Sequence, residues 1–133
     1  MGRRPVIVLD THAWIWFASD PKRLSKPAER AIRSAKKIGI PAISLWEFAM
    51  LQAKGRIEAD RPPLEWVRLA LAQPRVELLP LTPAIAVHSS QLGGDFHGDP
   101  ADRLIVATAL AESAPLVSRD EKIRKYGGIP VVW

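Results

Sequence analysis

The run PVIVLD (residues 5–10) is apolar and rich in β-branched side chains, with no polar position alternating through it. A strand of this kind has no face to offer to water, so it belongs in a sheet covered on both sides. Further short apolar runs follow at 40–43 (IPAI), 76–81 (VELLPL), 115–118 (PLVS) and 130–133 (PVVW). Between them lie segments with helical patterning: 25–37, 44–54 with a stop at Gly55, 62–73 opening on proline, 82–92 capped by Thr82, 100–112, and a short one over 119–127. Strands alternating with helices predict an α/β fold, a three-layer α/β/α sandwich around a central parallel sheet. The long helical insertion between residues 11 and 75 argues against a uniform strand–helix repeat. A chain of 133 residues is expected to form a single domain over 1–133. Functional groups in such sheets gather beyond the carboxyl ends of the strands.

Cysteine is absent, which excludes disulfides, thiolate metal sites and cysteine nucleophiles in this chain and fits a cytoplasmic home. The opening MGRRPVIVLDTHAW looks superficially like a signal peptide. Asp10 and His12 interrupt its apolar run, and no small-residue cleavage pattern follows. No stretch has the length of a bilayer span, so no membrane role is expected. The net charge of +5 points to an anionic partner, with nucleic acid the first candidate, or simply to solubility. Arg30, Arg33, Lys36 and Lys37 recur at helical spacing, as a solvated face or an RNA contact.

Four acidic residues stand apart from the surface pattern. Asp10 ends PVIVLD, Glu47 is the only formal charge between Lys37 and Lys54, Asp102 opens RLIVATAL, and Asp120 follows PLVS. Helix capping explains much of this. SLWE (44–47) and SRDE (118–121) match capping boxes, and DPAD (99–102) supplies an N-cap, a proline and a first-turn acid. Capping does not account for Asp10, which has Thr11 beside it as an equal cap, nor for Glu47 among Leu45, Trp46 and Phe48. If the strand ends are neighbours, four carboxylates converge. Their mutual repulsion is then relieved by a hard divalent cation, Mg²⁺ or Mn²⁺.

The pieces VLDTHAWIWF, AISLWEFAML, HGDPADRLIVATAL and LVSRDEKI, in this order across essentially the whole chain, resemble the PIN-domain ribonucleases, in particular the VapC toxins of bacterial toxin–antitoxin pairs. The resemblance implies that Asp10, Glu47, Asp102 and Asp120 form a catalytic Mg²⁺-binding quartet. Thr11 and Ser118 match hydroxyl positions that steady carboxylates or waters, and Asp99 is a cap or a support. The implied reaction is hydrolysis of RNA by a metal-activated water, leaving a 5′-phosphate and a 3′-hydroxyl, with one or two metals. The implied partners are an RNA substrate, a cognate VapB-type antitoxin and a second copy in a homodimer. The alternative is an inactive PIN fold that binds only RNA or a partner.

Other residues invite a role. Arg103 is placed to contact phosphate or to pair with an acid. His97, in the loop GGDFHG, is a candidate RNA contact, His88 reads as helix surface, and His12 stands two residues from Asp10. Trp14, Trp16, Trp46 and Trp66 read as core or subunit interface rather than base-stacking groups. A haloacid-dehalogenase-type phosphatase needs an aspartate at position 12, where histidine stands. A receiver domain needs a lysine after a later strand, which VELLPLTP and PLVSRD do not supply.

Overall fold

The computed structural model describes residues 5–93, 96 and 98–133. Five parallel strands, β1 (Val6–Leu9), β2 (Lys37–Pro41), β3 (Val76–Leu79), β4 (Leu116–Val117) and β5 (Val131–Val132), lie in the order β3-β2-β1-β4-β5. Ile7, Val8 and Leu9 of the central strand are fully buried, as their composition demands. Successive side chains of a strand point to opposite faces. Accordingly Ile7 and Leu9 join one apolar cluster, and Val8 joins the other.

Among the described residues two α-helices lie in each of the first three crossovers, the first of which also holds a short 3-10 turn at Pro21–Arg23. The helices are α1 (Thr11–Ser19) and α2 (Lys26–Ser34), α3 (Ile43–Ala53) and α4 (Pro63–Leu71), then α5 (Pro83–Ser89) and α6 (Pro100–Ala111). Only the last crossover has one, α7 (Glu121–Tyr126). This pairing is why the sequence shows no uniform repeat. Side chains of α1, α2 and α4 pack on one face of the sheet, and those of α6 and α7 on the other. The three-layer α/β/α sandwich is borne out. On the first face Trp66 of α4 stacks on Phe48 of α3 at 4.1 Å between ring centroids and meets Trp14 of α1 edge-on at 5.2 Å.

The second strand starts at Lys37 rather than Ile40, and α2 ends at Ser34 rather than 37. Lys37 N–H is bonded to Pro5 O at 3.0 Å, and the pairing with β1 draws the chain out of the helix. Lys36 and Lys37 are therefore not part of a basic helical face. Gly39 leaves room for its neighbour on β3, since a Cβ would lie 2.5 Å from Leu79 Cδ1 and force that side chain to shift.

The chain runs from β1 to β2 and β3 on one side, then returns to place β4 and β5 on the other. Connections diverge between β1 and β4, which opens a crevice at the carboxyl ends of those strands. Among the described residues, no helix is long and apolar enough to cross a membrane.

Candidate active site

Asp10 is the last residue before α1 and serves as its N-cap. Its Oδ1 accepts from Ala13 N–H at 2.9 Å, so capping does account for it, contrary to expectation. Thr11 is not a competing cap, because it is already the first helical residue. Its hydroxyl donates to the Glu47 carboxylate and lies 2.9 Å from Ser44 Oγ.

Ser44 is fully buried and caps nothing. The helix starts at Ile43, two residues earlier than the SLWE box requires, because Ala42 N–H continues the ladder to Leu79 O at 2.9 Å. Glu47 is thus the fifth residue of α3, and Ser44 and Thr11 form a buried hydroxyl pair beneath its carboxylate.

The SRDE box also resolves differently. Asp120 itself is the N-cap of α7, its Oδ1 accepting from Lys122 N–H at 2.8 Å and Ile123 N–H at 3.1 Å. The buried Ser118 Oγ accepts from Asp120 N–H at 3.0 Å and orients that turn. In DPAD the expected cap holds, with Asp99 Oδ1 accepting from Asp102 N–H at 2.9 Å. Asp102 does not follow a strand; α6 carries it in from a helix–loop–helix junction.

These elements bring Asp10, Glu47, Asp99, Asp102 and Asp120 to the walls of one open cavity of about 610 Å³, together with Thr11, His12 and Arg119. The crowding has electrostatic consequences. Burial raises the Asp10 carboxyl to about 6, against the lowering effect of hydrogen bonds from Ser118 and Ala13. Burial, then repulsion from Asp99, Asp120, Glu47 and Asp10, raises Asp102 to about 7. Burial also pushes Glu47 up, partly offset by Thr11. Such a cluster of raised carboxyls in a cleft is an energetic conflict that marks functional sites.

The oxygens suit a hard cation. Asp10, Asp99 and Asp120 each use Oδ1 for a helix cap, which leaves Oδ2 outside the capping bond. Asp102 makes no side-chain hydrogen bond among the described residues, so its carboxylate is committed to none of them. Among those residues no group of three His, Asp or Glu side chains is arranged to hold an ion as it stands. Side-chain rotation about converged backbones would be needed to complete a coordination shell.

The family described as PIN domain matches residues 7–129. The chain belongs to the PIN-domain family. It is 38% identical over 120 residues to Ribonuclease VapC22 of Mycobacterium tuberculosis, covering 90% of this chain and 91% of that protein. A toxin–antitoxin complex from Klebsiella pneumoniae matches with a TM-score of 0.65 and 25% identity, over 96% of each chain. DNA-bound VapBC from Salmonella typhimurium matches in fold with a TM-score of 0.71 and 19% identity, over 96% of this chain and 97% of that one. The resemblance to VapC-type proteins read from the motifs is borne out.

Within this PIN domain Arg103 is engaged by backbone carbonyls, and among the described residues it makes no ion pair with an acid. Its guanidinium donates to Phe96 O at 2.9 Å and Gly98 O at 3.3 Å, with a longer contact to Ser89 O at 3.5 Å. Backbone carbonyls bordering the loop before α6 compete successfully for its donors. Arg103→Ala is expected to destabilise the protein by roughly 1–3 kcal/mol, because it leaves part-buried carbonyls unpaired. Thermal denaturation checks this, and an unchanged Tm would contradict it.

His88 is exposed on α5 as expected, His12 is exposed at the crevice wall, and His97 lies outside the described residues. Trp14 and Trp66 are core residues, Trp16 is partly buried on the crevice wall, and Trp46 is 56% exposed and available to an interface. Sequence reading missed Ser44 as a support for Glu47, and Arg23, Arg56 and Arg119 as crevice residues. SxxE patterns fit a cap and a buried hydroxyl equally. Isolated arginines in turns carry no signal until the fold assembles them.

Proposed function

We propose that residues 1–133 form a single PIN domain that acts as a Mg²⁺-dependent endoribonuclease, the toxin of a VapBC-type toxin–antitoxin pair in the cytoplasm, with Mn²⁺ able to substitute. The observation that carries this reading is the convergence of Asp10, Glu47, Asp102 and Asp120 from four separate elements on one crevice. The 38% identity to a ribonuclease supports the activity, and the toxin–antitoxin complexes among the structural matches support an antitoxin partner. A purely binding PIN fold would have no need of this complete acidic set.

Asp10, Glu47, Asp102 and Asp120 would hold the cation. A bound cation would supply Lewis acidity toward the phosphodiester and toward water near neutral pH. The chain's own contribution is positional. Helix caps fix Asp10 and Asp120, and Thr11 with Ser44 fixes Glu47. Buried Ser118 steadies both Asp10 and the Asp120 turn. Asp99 supports Asp102 through the first turn of α6.

Purified protein is expected to cleave RNA with Mg²⁺ or Mn²⁺, to stop in EDTA, and to resume when the ion is restored. Cleavage that persists in EDTA would overturn the metal mechanism. The protein is also expected to be a homodimer, with Trp46 available for burial. Light scattering that shows a monomer at micromolar concentration would contradict this.

A further inference from the structure

A second cavity, of about 890 Å³, opens beside the carboxylate crevice and shares Trp16, Arg23, Arg56 and Ile57 with it. We infer that Arg23 and Arg56 grip phosphates of the substrate RNA as the strand passes from the crevice into this channel; the inference rests on the ribonuclease reading above.

Arg23 follows α1 and Arg56 follows α3, so different crossovers deliver them to the same shared wall. Both are exposed, and among the described residues neither guanidinium makes an ion pair or a hydrogen bond, even with Asp20 and Glu58 lining the same channel. Arg61, further along, differs: its guanidinium is held by Asp60 at 3.0 Å through both Nε and Nη2.

Among the described residues Arg23 has a cation–π contact in place of an ion pair. Its guanidinium carbon lies 4.9 Å from the centroid of the Trp16 ring. Trp16 in turn packs against His12 and Trp133, each at 5.7 Å between centroids. A guanidinium over an indole keeps its charge and its forked donors, the arrangement suited to phosphate.

Electrostatics makes such groups necessary. Five carboxylates in the crevice repel a polyanion, and attraction has to come from cations beside them. Arginines at the junction of the two cavities attract the phosphates flanking the scissile one without entering the acidic cluster. The neighbouring indole suits a chain that carries bases as well as charge.

The test uses a labelled single-stranded RNA of mixed sequence. Its binding to full-length protein carrying Glu47→Gln, in Mg²⁺, is followed by anisotropy over a range of salt. Adding Arg23→Ala or Arg56→Ala is expected to weaken binding roughly tenfold. Each should also reduce the salt slope by about 0.7, the value for one lost single-strand phosphate contact. Arg23→Lys is expected to recover part of the loss. Arg33→Ala, on the exposed side of α2, is expected to change neither. In the cleaving protein the two losses should appear in KM far more than in kcat.

Unchanged affinity and slope in the Arg23→Ala, Arg56→Ala double variant overturns the inference, whether or not that variant loses hold of a protein partner. An equal loss from Arg33→Ala also overturns it, since attraction is then general basicity. A loss confined to Arg119→Ala overturns it too, because the strand then leaves by another side. Wild-type protein that fails to cleave RNA sinks the ribonuclease reading itself, whereas cleavage with unaffected variants sinks only the assignment of these arginines.

Discussion

Asp102→Asn is expected to lower the RNA cleavage rate by about two orders of magnitude or more while leaving the protein folded. Loss of a group that merely orients a metal ligand costs roughly 10–100-fold, and loss of a ligand should cost at least the upper end of that range. The fold has little reason to respond. Asp102 makes no side-chain hydrogen bond among the described residues, and its carboxyl is raised to about 7, so the neutral amide resembles a form already accessible near neutral pH. Asp99 should show the opposite pattern. Its Oδ1 accepts from Asp102 N–H at 2.9 Å, and removal of an N-cap typically costs ~1 kcal/mol. Asp99→Ala is therefore expected to lower Tm and retain substantial cleavage at permissive temperature. Tm and cleavage rate measured for both variants decide the matter. Full activity in Asp102→Asn would reduce Asp102 to a first-turn acid and break the quartet.

Asp10→Asn is expected to make the metal-free protein more stable at pH 8 and to leave its stability unchanged near pH 3. The Asp10 carboxyl rises from 3.8 to about 6 on folding, chiefly through burial. Between those values the native state binds more protons than the unfolded state, so stability falls as pH rises. The burden is absent well below pH 3.8 and fully present above about 6, where it amounts to roughly 3 kcal/mol at most. The amide can keep the cap, because its oxygen accepts from Ala13 N–H as the carboxylate does. Asp102 and Glu47, both raised, add to the wild-type slope in the same direction. The readout is the difference in stability between wild type and Asp10→Asn across pH 3–8 in EDTA. A difference that shrinks as pH rises would have the wrong sign. Saturating Mg²⁺ should offset the wild-type loss, because the ion favours the ionised carboxylates.

The sheet was legible because a buried parallel strand has to be apolar throughout, and PVIVLD is. All five strands were found, and the helices after the first follow from the polar, proline-marked breaks between them, whereas α1, apolar and continuous with the first strand, was not delimited. The start of β2 was misplaced because Lys36 and Lys37 continue the helical spacing of Arg30 and Arg33, and only pairing with β1 pulls them into a strand. The quartet's convergence was legible from motif order. Local roles were less so. Asp10 turned out to be a cap, Ser44 and Ser118 turned out not to be, and Arg103 is taken up by loop carbonyls. In each case a polar side chain chose among partners brought close by tertiary structure, and local sequence does not contain that choice.

The most direct test of the central claim is calorimetric titration of Mn²⁺ into EDTA-stripped protein at pH 7, for wild type, Asp10→Asn and Asp102→Asn. The wild type should show saturable binding with release of protons from carboxyls that begin partly protonated. Each variant should bind at least about tenfold more weakly. Absence of saturable binding in the wild type, or equal affinity in all three proteins, would contradict a divalent-cation site built from these carboxylates.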